Sequence, residues 1–464
     1  MKKLMLLLIC VFMKIAAFGP GPVSAGPVED YREAQLQYLT AVASFASYPG
    51  ADGDIAAAIM RRDGWLIIPC VENDETAQAV LLLAWKTVEG LPTEYLMAIA
   101  GTHNTEGVKL AFKADKAYFA GRTLKEFADN ANKKRDLPPK APMVHRGFHQ
   151  YVQTALATDV QPPEGAVAGR KLNELLLDHP DWKVYLTGHS AGGSAAALLA
   201  ARLIDMGIKP NQLKVLTFAA PAVGNAAFAE KYSPALDVTR VVVAGDPIPD
   251  ALQRIAGGFQ QFGREIRWKI DGYTFDEKHY PYIYLDCAIK NYYDKRLIAM
   301  KSATTNLAPG EQPVQEGKRL YIAAIHNNLP QNLNGEFPYM REVLLDQYRD
   351  AVSAYFIGEM NAKVPFAFDE LRSKADAAGC DRMVVVNIWG KKQDDPANYS
   401  GGLLTKAGNA YDLIVIEQAV FSVPDGELVD GRTYEKGSKY FTAIGALLSA
   451  AVALGAESAA WSGQ

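Results

Sequence analysis

The sequence predicts an α/β fold with a mostly parallel sheet and flanking helices, followed by a small C-terminal α+β unit. Two observations carry this. Through the middle of the chain, β-rich apolar runs alternate with helical patterns, and that alternation is the mark of a parallel sheet. After about residue 365 the pattern restarts in a shorter compass, with one helix, two strands, a "PDGE" turn and a further strand. At 464 residues the chain exceeds the usual size of a single core, so one large domain and one smaller one are expected. The boundaries read from the sequence are residues 1–25 as a signal peptide, 26–362 as the main domain and 363–464 as the small unit.

The elements follow in order. "MKK" is basic, the next stretch is apolar apart from Lys14, and Val23-Ser24-Ala25 fits the small-x-small rule for cleavage. The expectation is export to a periplasmic or extracellular location, with a membrane anchor as the alternative. Cys10 follows Ile9 rather than a small residue, which argues against a lipid-anchored cysteine. Residues 29–48 have helical periodicity and end before Pro49-Gly50. "GWLIIPCV" and "AVLLLAW" read as a hairpin, and "TEYLMAIAG" as a buried strand. Two helices then lead into the strand "KVYLT", a helix over 191–206, the strand "LKVLTFAA", a short helix from Asn225 and the strand "VTRVVVAG". Residues 264–325 read as strand-rich, and 337–360 as one long amphipathic helix. The closing "YFTAIGALLSAAVALGA" falls short of the roughly 20 residues a membrane span needs, so a buried helix is expected.

Charge says little about partners: a net −4 leaves no basic footprint for nucleic acid. After cleavage Cys70, Cys287 and Cys380 would remain, an odd and sparse set without metal-ligand spacing.

The chemistry is concentrated in "LTGHSAGGSAAALLA", where a strand turns into a helix at Gly188, Ser190 and Gly192. A Gly-x-Ser-x-Gly turn lifts the serine above the sheet edge and aims the helix N-terminus at the place where an oxyanion would develop. A tight turn built from small residues is the plain alternative. A serine hydroxyl needs a base, and the base needs a third group to hold its tautomer. On such an elbow the acid and then the base follow the serine along the chain. Asp246, just past the strand "VVVAG", is the candidate acid, against the plain reading of a turn residue before Pro247. Five of the seven histidines precede or adjoin Ser190, and His189 reads as structural. His326 and His279 remain; His326 ends a strand-like run and is preferred as the base, with His279 the runner-up.

Together these stretches resemble the class 3 (fungal-type) triacylglycerol lipase family over residues 30–330, which implies an α/β-hydrolase-type sheet. "LTFAAPAVGNAAFA" is similar to a family segment, with Ala219 where glycine is usual, and "RVVVAGDPIPDAL" matches the acid segment, favouring Asp246 over Asp250. "MVHRGFHQYV" matches a segment in which His145 is structural. "AIAGTH" corresponds to the oxyanion strand, so the resemblance assigns the oxyanion hole to Thr102 and the N–H of Ala191, although Ala100 replaces the usual arginine. Gln261 stands where a non-catalytic histidine is common, and the family's lid corresponds to residues 102–127. That piece is rather charged, which favours short or soluble esters.

The resemblance implies an exported serine carboxylester hydrolase acting through Ser190, Asp246 and His326 on a lipid or small ester. A phospholipase or thioesterase would use the same machinery. The expectation includes no metal or organic cofactor, no nucleic acid, transient contact with a lipid interface, and a C-terminal unit available to a protein partner. The rival from another class is a hydrolase-fold binding or envelope-assembly protein whose catalysis has been lost.

Overall fold

The computed structural model describes residues 26–69, 81–102, 115–160 and 169–351, the last with breaks at 256, 272, 275–276, 304–318, 330 and 332–333. Residues 354–357, 368–392 and 412–437 complete the described part. Residues 1–25, expected as a signal peptide, together with Cys70 and the apolar C-terminal stretch, lie outside it.

The main sheet has seven strands: β1 (Leu66–Pro69), β2 (Leu81–Lys86), β3 (Glu94–Ile99), β8 (Lys183–His189), β9 (Leu213–Phe218), β10 (Asp237–Val243) and β11 (Arg264–Trp268). They lie side by side in that order. The β1–β2 and β2–β3 pairs are antiparallel, and every pair from β3 to β11 is parallel. Two short ribbons, β4 (Lys116–Tyr118) with β5 (Met143–His145) and β6 (Asp159–Val160) with β7 (Arg170–Lys171), sit outside it. The inner parallel strands β3, β8 and β9 are largely apolar on both faces because helices cover both, whereas the edge strand β11 is charged and partly exposed. In β3 the alternation is explicit: Tyr95, Met97 and Ile99 face one core, and Leu96 and Ala98 face the other. The first core holds the helix Ala191–Asp205, whose Ala- and Gly-rich run 191–203 is wholly buried and so packs tightly on the sheet. The second holds the N-terminal helix Pro27–Ala46.

The sheet is of the α/β-hydrolase type that the sequence implies, but two readings need correction. Residues 264–325 are not mainly strand. Pro281–Ala303 is a 23-residue helix, its first half buried from Ile283 to Ile289. The stretch is rich in tyrosine and isoleucine, so residue preference pointed to strand while packing against the N-terminal helix fixed a helix.

The boundary at 362/363 also fails. β12 (Arg319–Asn328), β13 (Ala354–Ile357), β14 (Arg382–Lys392), β15 (Asp412–Ser422) and β16 (Leu428–Gly437) form one sheet in the order β13-β12-β14-β15-β16. β12 pairs in parallel with both β13 and β14, so a cut at 362 would divide this sheet. The helix over 337–360 ends at Ala351 and gives way to β13. A single apolar core joins the inner face of this sheet (Ile322, Val384, Ile416) to the helix Pro281–Ala303 (Ile283, Ile289) and to the main sheet (Leu96, Val241).

Part of the proposed lid segment is core rather than cover. Phe119 and Phe127 are fully buried, and β4 pairs with β5. Residues 103–114 lie outside the described part.

Candidate active site

Ser190 sits between β8 and the helix Ala191–Asp205 with φ 56° and ψ −127°, a strained conformation for a residue with a side chain. Its N–H donates to Phe218 O at 2.8 Å, and its carbonyl accepts from Gly193 and Ser194 N–H. Crowding explains the glycines. A Cβ on Gly192 would lie 2.0 Å from Ile99 O, and one on Gly188 would lie 2.5 Å from Gly192 C. The elbow is wedged against the end of β3, and only residues without side chains fit there.

Asp246 follows β10 in a tight turn closed by its own N–H on Val243 O. Its side chain is completely shielded from solvent. Three donors satisfy it: Ile248 N–H on Oδ1 at 2.9 Å, the Tyr284 hydroxyl on Oδ2 at 2.6 Å, and Nδ1 of His279 at 3.0 Å from Oδ2. Such charge-assisted bonds offset the cost of burying a carboxylate. The opposite nitrogen of His279, Nε2, lies 2.9 Å from Ser190 Oγ. His279 retains 21% side-chain exposure, so a substrate can reach it. With Nδ1–H donated to Asp246, Nε2 carries the lone pair that faces the serine proton.

The structure therefore brings together Ser190, Asp246 and His279, the runner-up base. His326, the preferred candidate, lies on β12 in register with Asn387 of the second sheet. It follows the apolar run of β12, which continues to Asn328, but that strand belongs to the other sheet. The local signal for His279 was present: His279 is followed by Tyr280 and then by Pro281, the first residue of a helix. Asp250, the alternative acid, is half-exposed and pairs with Arg254 at 3.1 Å.

Ala191 is the first residue of its helix, where N–H groups have no acceptor within the helix. Gly101 brings the chain before Thr102 against the elbow, since a Cβ placed on it would be 3.3 Å from Ser190 Cβ. Ala100 is buried and fills no polar role.

Three supporting residues escaped the sequence reading of roles. Tyr284, from the second turn of the helix after His279, donates to Asp246 and accepts from Val243 N–H at 2.9 Å. Gln261 donates to Ala220 O and Pro249 O, tying the loop that carries Asp246 to the end of β9. Tyr48 meets His189 Nδ1 at 2.8 Å behind the elbow. Burial, reinforced by the neighbouring His279, holds His189 well below its ordinary pKa, so it stays neutral. His145 is structural: its Nδ1 accepts from Gly147 and Phe148 N–H and caps the helix Arg146–Ala157.

Residues 110–255 match the family model described as lipase (class 3). A lipase of Caenorhabditis elegans is 35% identical over 107 residues, covering 23% of this chain and 25% of its own. A lipase of Rhizopus niveus is 36% identical over 95 residues, covering 20% and 22%. The chain thus matches about a quarter or less of the length of these curated relatives. Among solved structures, the Lip2 lipase of Yarrowia lipolytica aligns at TM-score 0.37 and 20% identity, covering 52% of this chain and 78% of its own. The similarity to class 3 lipases thus lies in residues 110–255, which hold Ser190 and Asp246 within the mostly parallel, helix-flanked sheet.

Proposed function

We propose that this protein is a serine carboxylester hydrolase of lipase or esterase type, with Ser190 as nucleophile, His279 as base and Asp246 as the group that orients it. The observation that carries the reading is the single imidazole hydrogen-bonded to a serine on one side and a buried carboxylate on the other. Ser190 Oγ forms a bond to the acyl carbon while its proton passes to His279 Nε2. The carbonyl oxygen becomes an anion facing the N–H groups of Thr102 and Ala191. Collapse breaks the bond to the leaving alcohol, which takes the proton from His279. Water then repeats the sequence in the second half-reaction and frees the acid. The substrate class is a lipid or small carboxylic ester. The signal-like N-terminus supports export as part of the same proposal.

The test is labelling by a fluorophosphonate probe together with hydrolysis of p-nitrophenyl esters. The wild type is expected to be labelled and active, and Ser190→Ala to be folded, unlabelled and inactive. A folded wild type that neither labels nor hydrolyses any ester overturns the reading.

A further inference from the structure

We propose that the Tyr48 hydroxyl is a positioning group for the oxyanion hole, clamping the strand end that carries Thr102 to the elbow that carries Ala191. The inference rests on the hydrolase reading above and extends it to the N-terminal helix.

Tyr48 lies in the turn that ends the helix Pro27–Ala46, far in sequence from both segments it touches. Its hydroxyl is 2.8 Å from His189 Nδ1, and a Cβ built on Gly101 would fall 2.3 Å from the same oxygen. That Cβ would also lie 2.8 Å from His189 O. The hydroxyl therefore fills the space in which a side chain at 101 would stand, at the junction of β3 and the elbow. Gly101 immediately precedes Thr102, and His189 stands two residues before Ala191. Burial raises the phenol well above its ordinary pKa, opposed in part by the Gly101 backbone hydrogen bond, so it remains a neutral hydroxyl. One group thus meets the backbone just before Thr102 and the imidazole of the residue two positions before Ala191.

Such a clamp matters because the donors act only if they are aimed before the charge develops. Losing one donor typically costs about 10²–10³ in rate, and a misplacement of about 1 Å costs about 10². Ala100 provides no side chain long enough to brace Thr102. Tyr48 meets the same strand end at Gly101, from the turn that follows the helix Pro27–Ala46.

Tyr48→Phe keeps the ring and removes only the hydroxyl. Hydrolysis of a p-nitrophenyl ester should show kcat lowered by about 10- to 100-fold with KM changed by less than about twofold. A trifluoromethyl ketone separates positioning from mere structure. Ser190 Oγ adds to its carbonyl, the proton goes to His279, and the resulting oxyanion occupies the hole. Its affinity should fall by the same factor as kcat. His189→Gln disturbs the contact from the other side and should give the same kcat-selective loss, which keeps the test open if Tyr48→Phe does not fold. A folded Tyr48→Phe with kcat unchanged overturns the proposal, as does a kcat loss with ketone affinity unchanged. A wild type that no fluorophosphonate labels sinks the hydrolase reading itself. A labelled wild type with an indifferent Tyr48→Phe sinks only the role of Tyr48.

Discussion

Ser190, with φ 56°, and Ala219, with φ 54°, both accept a positive φ beside the elbow; among the described non-glycine residues Asp136 alone shares it. For Ser190 the strain is the means of presentation. For Ala219, at the end of β9, glycine would relieve about 1 kcal/mol of strain but lose a buried methyl worth about 0.8 kcal/mol, so the two residues are nearly equivalent there. Ser190 and Asp246 were legible because each is announced within a few residues of itself, by a glycine-flanked turn and by the end of a β-branched strand. The base was not. Both candidate histidines follow the acid along the chain, and only the pairing of β12 with β14 assigns His326 to the other sheet. Changing each histidine in turn reports on this directly. His279→Ala should lower kcat/KM on the order of 10⁴-fold, while His326→Ala should stay within about threefold. A large loss at His326 with His279→Ala still active would reverse the assignment.

At the scale of elements, the helix after His279 is both the best-anchored piece of the site and the one the sequence concealed. Tyr284 grips Asp246, Lys290 bridges Asp286 and Glu336 at 2.8 Å each, and Arg296 holds Asp346 and Glu342 at 2.5 and 2.8 Å. Its tyrosines and isoleucines gave no clean period, so tertiary packing had to decide. The helix Arg146–Ala157 shows a different kind of polar interior. His149 is 5% exposed, and its Nε2 lies 2.6 Å from the guanidinium of Arg202. Burial first, and the Arg202 charge second, push its pKa down to about 3. The folded state thus holds His149 neutral while the unfolded chain protonates it near pH 6.5. Between those values the unfolded state binds more protons, so the contribution is fully present above about pH 6.5 and is lost as the pH falls towards 3, at up to about 1.4 kcal/mol per pH unit. His149→Gln keeps an acceptor for Arg202 without the titration. Its unfolding midpoint should fall less steeply than that of the wild type between pH 6.5 and 4, and parallel curves would refute the account.

At the scale of the whole molecule, the sequence reading divided the chain into a large α/β part and a smaller C-terminal unit, and the line it drew runs through the second sheet. The error has a physical source. "KRLYIAAIH" is plainly a strand, but nothing local states whether it joins strands before it or strands 54 residues later, and β12 takes the later partner β14. The consequence is mechanical. Ile322, Val384 and Ile416 of the second sheet share one core with Ile283 and Ile289 of the helix that carries Tyr284, and with Leu96 and Val241 of the main sheet. Each such side chain contributes roughly 1.5–3 kcal/mol on burial, so removing a sheet's worth of them exceeds the usual net stability of about 5–15 kcal/mol. Two readouts follow. Full-length protein should unfold in denaturant with one transition seen alike by tryptophan fluorescence and far-ultraviolet circular dichroism. A chain ended at residue 362 keeps Ser190, Asp246 and His279 yet loses β14, β15 and β16. It should be insoluble or should have lost at least about 10² of kcat/KM, because the helix that fixes Asp246 and His279 would lose its outer wall. A soluble chain ended at 362 with undiminished ester hydrolysis, or two well-separated unfolding transitions in the intact protein, would show that the second sheet is an independent passenger.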